Sequence, residues 1–560
     1  MTSLTGLWKE RRREVTALAL SGGGSRADFQ LGALRYLYDR VGITPQVITG
    51  TSAGSILAAT LAQSADHDEQ RRYLRELETR WAQMRDSSDM FTPHPWFDRL
   101  RRRGPEWMAA LQKRQHRQSP LGRTFARAAT APRAGVDGTA GSRATSGPFA
   151  RGGPLDPAAV AERLRTMTAG RPWPPPREDH GETGGTIGVV EFLTALREVG
   201  RARPDLELIL RGAEREKAMY RPGPLVERLV DPEVFAAERV GRSGVTLRIA
   251  VVGLESGELR YVTESGGLVD RLNRPVEGEP VDLVEAVRAS CAIPAVFRPV
   301  QLRDETYVDG GVRETLPAEV AMDHLDVTTC YAVVASPPGV PHESSYADKD
   351  LISVVLRSTA GIMADEGLRD EVERARRDGA VLIAPEMDLH DILTVDPGLT
   401  AIAMDYGYLR AAEAVHGATA SQARLTRDVV TLRREIWQLE QDLLAPPATV
   451  GGVDPATAEP PAPATASPAP GVAPDPRDGP GDRGPSPGAA GASGTGSSPG
   501  AWPAADGAAP PDFSELATMK RRLRSLVVRI PADRLPPGAD EWWRTFERHA
   551  FEIPYRPTWV

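Results

Sequence analysis

Five residues, Gly50-Thr51-Ser52-Ala53-Gly54, stand between the apolar run Gln46-Val47-Ile48-Thr49 and the small-residue stretch Ser55–Ala62. The first flank reads as a buried strand and the second as a helix, so the chain must reverse sharply around Ser52. A strand-to-helix turn that tight tolerates little bulk, which accounts for Gly50 and Gly54 on either side. The turn sets Ser52 at a helix N-terminus, whose free N–H groups and positive end favour a developing alkoxide. The motif also occurs as a plain glycine-rich turn with an incidental serine, so a nucleophile needs support from elsewhere in the chain.

Support comes from upstream. Val15–Leu20 is an apolar strand candidate, followed at once by Ser21 and the cluster Gly22-Gly23-Gly24-Ser25-Arg26, then by an amphipathic helix over Asp28–Leu37. Three consecutive glycines leave backbone N–H groups unscreened where an anion can sit. A nucleotide phosphate is one such anion, but no Gly-Lys-Ser/Thr follows, and no acidic residue ends a second strand. An oxyanion loop explains both glycine clusters; a phosphate loop explains one.

A serine nucleophile requires a proton acceptor. None of the nine histidines sits in a recognisable catalytic context. Far downstream, Tyr307-Val308-Asp309-Gly310-Gly311-Val312 puts an aspartate at a strand end before two glycines. Taken alone, Asp-Gly is a plain turn.

Taken in order, Gly22–Arg26, Gly50–Gly54, Ala289–Val300 and Asp309-Gly310-Gly311 resemble the motifs of the patatin-like phospholipases. The resemblance runs over roughly 13–410. It implies an α/β protein, a three-layer α/β/α fold with a mainly parallel central sheet, and acyl ester hydrolysis by a Ser–Asp dyad without histidine. On that basis Ser52 is the expected nucleophile, Asp309 the general base, and Gly22, Gly23, Gly24, Ser25 and Arg26 the oxyanion loop. Glycerolipids, phospholipids or another acyl ester would be the substrate, with neither metal nor cofactor. Ala27 stands where the family often has glycine, a methyl that a helical position accommodates. A Ser-His-Asp esterase using His324 or His390, acyl transfer to an acceptor other than water, and a catalytically silent lipid-binding scaffold remain the alternatives.

The chain is longer between Ser52 and Asp309 than such a core needs. The excess centres on 130–185, rich in Gly, Pro, Ala, Arg and Ser, expected to be a disordered insertion and a candidate lid. Between 85 and 127, arginines interleave with Phe91, Trp96, Phe97 and Trp107, a composition suited to peripheral membrane contact and equally to a solvated helical face. A net charge of −8 argues against global attraction to nucleic acid or anionic lipid, and no nucleic-acid partner is expected. The polar start, 1–12, has no apolar core of a signal peptide, and no uncharged run spans a bilayer, so a cytoplasmic or peripheral location is expected. Two cysteines, Cys291 and Cys330, build no disulfide framework.

Strands are expected at Val245–Val252, Leu259–Thr263, Thr328–Val334 and Ala380–Ala384, with helices at Val281–Ser290 and Leu351–Arg377. Past 410 the pattern changes. Leu425, Val429, Leu432, Ile436, Leu439 and Leu443 mark a helical, coiled-coil-like seam within 411–444. A Pro/Ala/Gly linker fills 445–511, and 512–560 holds a second helix and an aromatic tail. The two helices are expected to pair across the linker, with packing on the core or self-association through 425–443 as the other arrangements.

Overall fold

The computed structural model describes residues 14–103, 203–444 apart from scattered positions between 230 and 356, and 514–543. The 130–185 insertion, the 445–511 linker and most of the basic 85–127 segment lie outside the described residues.

The central sheet is built on β1 (Thr16–Leu20), β2 (Val47–Gly50), β5 (Thr246–Gly253), β11 (Thr329–Val333) and β12 (Val381–Ile383), parallel in the order β12-β11-β1-β2-β5. Antiparallel strands β6 (Leu259–Thr263), β7 (Leu268–Val269) and β8 (Pro275–Val276) extend it beyond β5. A separate two-stranded antiparallel sheet pairs β3 (Phe91–Pro93) with β4 (Tyr220–Pro222), which are remote in sequence.

Alternation along β1 divides two cores. Leu18 and Leu20 face one hydrophobic cluster, while Ala17 and Ala19 face another. On the first face lie α1 (Ala27–Tyr36), α2 (Ala53–Leu61) and the helix Pro397–His416; on the second lie Ala318–His324 and Ala364–Arg377. This is the three-layer α/β/α arrangement, with a mixed sheet whose centre is parallel. Within the helix expected over Leu351–Arg377, the described part holds a π-helical segment, Arg357–Met363, that leads into regular helix at Ala364.

The first face depends on a close helix crossing. A Cβ at Gly32 would lie 1.7 Å from the Met404 carbonyl oxygen, and one at Gly407 would lie 1.9 Å from that of Phe29. Backbone cannot yield as a side-chain tip does. Gly407→Ala is therefore expected to cost about 3 kcal/mol, the upper end for overpacking, read from denaturant unfolding.

The C-terminal helices, Ala420–Leu444 and Ser514–Val527, pair with each other, and the first of them lies on Pro397–His416. Leu425, Val429, Leu432 and Ile436 are buried here with Leu516, Leu523 and Val527, so the seam is covered within the chain. Arg433 donates to the Asp405 carboxylate at 2.6 Å and lies 3.9 Å from the centre of the Trp542 ring, which ties part of the aromatic tail to the core.

One feature of the topology brings distant segments together. β5 is long enough for β2 to pair with its first half and β10 (Glu305–Asp309) with its second. Gly50 is opposite Ile249 and Asp309 is opposite Val251. Because β6 occupies the other edge of β5, β2 and β10 approach tip to tip along one edge. β9 (Val300–Leu302) completes this branch.

Candidate active site

Ser52 is separated from the tip of β2 by Thr51 and caps α2. Its φ of 53° and ψ of −129° place a non-glycine residue in a strained conformation costing about 1–3 kcal/mol, held only where its surroundings fix it. A Cβ at Gly50 would come within 2.5 Å of the Gly54 carbonyl oxygen, and one at Gly54 within 2.5 Å of that of Ser21. The two flanking glycines therefore let the elbow rest directly on the end of β1. Ser52 itself is buried.

Asp309 ends β10 opposite the elbow and is buried too. Its Oδ1 accepts the Gly311 N–H at 2.8 Å, whereas its buried Oδ2 has no hydrogen-bond partner among the described residues. Burial pushes the carboxyl up to about 7, against the opposing pull of the Ser52 hydroxyl and the Gly311 N–H. The hydroxyl is thus near enough to influence the carboxyl, while Oδ2 completes no hydrogen bond. Gly310 lets the chain leave this corner, since a Cβ there would sit 2.6 Å from the Ala250 carbonyl oxygen.

The glycine loop comes against Ser52. A Cβ at Gly22 would be 3.2 Å from Ser52 Cβ. Of the five residues Gly22–Arg26, three have amides already engaged: Gly22 with the Thr315 carbonyl at 2.9 Å, Ser25 with Ile392 at 3.1 Å and Arg26 with Gly23 at 3.2 Å. The amides of Gly23 and Gly24 have no acceptor among the described residues. That narrows the loop's anion-binding capacity to two N–H groups.

Ser25 and Arg26 instead fasten the loop. Ser25 Oγ donates to the Asp391 carbonyl at 3.0 Å; Arg26 reaches the His390 carbonyl at 3.0 Å, Ser336 Oγ at 2.9 Å and the Asp388 carboxylate at 2.9 Å. Gly24, at φ 59°, lies under Ile392, whose carbonyl oxygen would be 2.4 Å from an added Cβ. Sequence reasoning missed this 388–392 buttress, because nothing in its composition marks it. Ala27 begins α1, where its methyl is accommodated.

Neither histidine weighed as a base hydrogen-bonds Ser52. His390 Nε2 is 2.8 Å from Asp28 Oδ2, and Nδ1 is 3.0 Å from the Asp391 carbonyl oxygen. Two acceptors require two donors, hence an imidazolium. Burial alone would lower its pKa, but Asp28 overrides that and the net result is a rise to about 9. His324 ends a helix that leads back to the start of β11, at the end of the parallel strands opposite the elbow.

In the described part of the basic segment, the aromatics pack inward. Phe91 stacks on Phe297 with centroids 5.7 Å apart, and Phe97 meets Tyr220 edge-on at 5.1 Å; Arg101, Arg102 and Arg103 are exposed. No helix of the described residues is long and apolar enough to cross a membrane, and no group of three potential metal ligands occurs among them.

An α/β sheet with a strained serine elbow, a glycine loop and a buried carboxylate defines a class, and sequence comparison gives it a family. Residues 18–322 match the family model for patatin-like phospholipase, and the chain belongs to that family. A patatin-like phospholipase domain-containing protein of Aspergillus niger is 45% identical over 53 residues, 10% of this chain and 7% of the fungal one. Triacylglycerol lipase 4 of Saccharomyces cerevisiae is 42% identical over 69 residues, 12% and 7% of the respective chains. The chain thus spans only a small part of these relatives' lengths. The crystal structure of VipD from Legionella pneumophila aligns over 77% of both chains at 15% identity with a TM-score of 0.24.

Proposed function

We propose that this protein is a lipid acyl hydrolase in which Ser52 and Asp309 form a two-residue catalytic unit. The observation carrying the proposal is the meeting of β2 and β10 along β5. It sets a strained serine beside a buried carboxyl with one oxygen lacking a partner. Ser52 Oγ attacks the acyl carbonyl carbon as its proton passes to Asp309 Oδ2. The carbonyl oxygen becomes an oxyanion, stabilised by the Gly23 and Gly24 amides. Collapse expels the alcohol, which takes the proton from Asp309, and leaves an acyl-serine. Asp309 then removes a proton from water, the hydroxide adds to the acyl carbon, and Ser52 leaves with its proton restored.

A carboxylate of ordinary pKa is a weak base towards a hydroxyl; burial of Asp309 brings it near neutral pH, where a general base works best. The substrates are acyl esters of glycerolipids or phospholipids, met peripherally at a lipid surface. Residues 13–410 form the catalytic domain on this reading, with 130–185 an insertion in it. Residues 411–444 and 512–560 then form a helical extension joined by the 445–511 linker.

Fluorophosphonate labelling with parallel hydrolysis of a short p-nitrophenyl ester tests the proposal. Ser52→Ala is expected to lose both labelling and turnover, and His324→Ala to keep both. A folded wild-type chain that neither labels nor turns over would sink the hydrolase reading.

A further inference from the structure

The stretch Ala289–Val300 entered the sequence analysis only through family resemblance, yet it touches both halves of the proposed catalytic pair. The Ser52 amide donates to Ser290 Oγ at 3.0 Å, and the Asp309 amide donates to the Ala292 carbonyl at 3.0 Å. Two residues of one tight corner thus hold the backbones of two side chains that lie far apart in sequence.

We propose that Ser290-Cys291-Ala292 is the spacer setting the relative position of nucleophile and base, and that the Ser290 hydroxyl is a positioning residue for attack by Ser52. The proposal rests on the Ser52–Asp309 reading.

The corner is built to be stiff. It ends the helix Leu283–Ser290, whose start is capped by Asp282 accepting the Glu285 N–H at 3.0 Å, and whose Leu283, Ala286, Val287 and Ala289 are buried. Beyond it, Cys291 N–H reaches Val287 at 3.0 Å, Ala292 N–H reaches Ala289 at 3.1 Å, and Ile293 N–H reaches Cys291 at 2.9 Å. Ser290 is fully buried and Ala292 nearly so. Between them the Cys291 thiol lies 3.8 Å from Ser55 Oγ, and both burial and the Asp309 charge raise its pKa.

Ser52 needs such a support because its backbone conformation is strained. Its carbonyl is held from within α2, accepting the Ser55 N–H at 2.8 Å and Ser55 Oγ at 2.6 Å. Its amide has no acceptor from its own helix, and Ser290 supplies one from another element. Removing that oxygen leaves a buried donor unpaired. It also lets the elbow relax, shifting Oγ against Asp309 Oδ2 and the Gly23 and Gly24 amides. Misplacement of about 1 Å at a reacting centre costs on the order of 100-fold in rate.

The test compares Ser290→Ala and Ser290→Cys in the full chain. It reads the fluorophosphonate labelling rate, kcat and KM for a p-nitrophenyl ester, and Tm, with Ser52→Ala alongside. Labelling and kcat are expected to follow acceptor strength, Ser above Cys above Ala, with Ser290→Ala reduced about 10- to 100-fold and KM changed less than about twofold. The pH midpoint near 7 is expected to persist, because Ala292 still holds Asp309. Should Ser290→Ala fold poorly, Ser290→Cys, closer to serine in shape, carries the comparison. Labelling at the wild-type rate in folded variants, or a deficit that disappears on cooling below the variant's Tm, overturns the positioning role. Retained labelling in Ser52→Ala would instead overturn the underlying assignment, so the two failures are distinct.

Discussion

Asp309→Asn is expected to abolish ester turnover, by at least about 10⁴-fold, while leaving the fold intact and more stable than wild type above pH 7. The variant keeps a side-chain oxygen to accept the Gly311 N–H, and its amide matches the neutral acid in shape. What it loses is an ionisable oxygen at the Oδ2 position. On the proposed mechanism, wild-type activity should climb as pH rises through about 7, because only the carboxylate form of Asp309 could take the Ser52 proton. The stability trend runs the other way. Burial raises the native carboxyl above its unfolded value of about 3.9, so the native state binds the extra proton. Its contribution is most favourable at low pH and is lost as pH rises from about 4 to about 7. The amide does not ionise and escapes that loss. Initial rates from pH 5 to 9, paired with thermal unfolding over the same range, check both halves. Near wild-type turnover in the asparagine variant would remove Asp309 from the chemistry.

How far the sequence already carried this site differs residue by residue. Ser52 was legible because a strand, a small-residue turn and a helix follow one another locally, and each has its own periodicity or composition. The layer order was legible for the same reason: β1, β2, β5, β11 and β12 are short apolar runs separated by helical patterns. Asp309 was not legible from its neighbours, since Asp-Gly-Gly satisfies an ordinary turn equally well. Only family resemblance brought it forward. Its placement depends on β10 pairing with the second half of β5, a register between segments remote in sequence. The glycine loop was legible as a loop but not in its hydrogen bonds. Which amides remain free is decided by Thr315 and Ile392, which no local pattern connects to Gly22 or Ser25. The Ser290 contact and the 388–392 buttress are long-range for the same reason.

That buttress gives the second large effect. His390→Leu is expected to destabilise the protein by about 3–5 kcal/mol, because it strands the Asp28 carboxylate in a site where both partners' side chains are at most 2% exposed. The first turn of α1 offsets part of this, since Asp28 lies there and Oδ1 accepts the Phe29 N–H at 2.7 Å. Adding Asp28→Asn removes the second charge and should recover most of the loss. The pH dependence fixes the sign. Because the folded histidine is raised to about 9, the pair's contribution is fully present below about 6.5 and disappears as pH rises through about 9. Wild-type Tm should show that component of alkaline decline, and His390→Leu should lack it. The same variant separates support from catalysis. Ile392, two residues on, lies over Gly24, so loosening the segment should slow labelling modestly. At a temperature where His390→Leu remains folded, turnover should stay within about tenfold of wild type, against losses of at least about 10⁴-fold for removal of a true base. A loss of that larger size in folded protein would overturn a purely supporting role for the segment around His390.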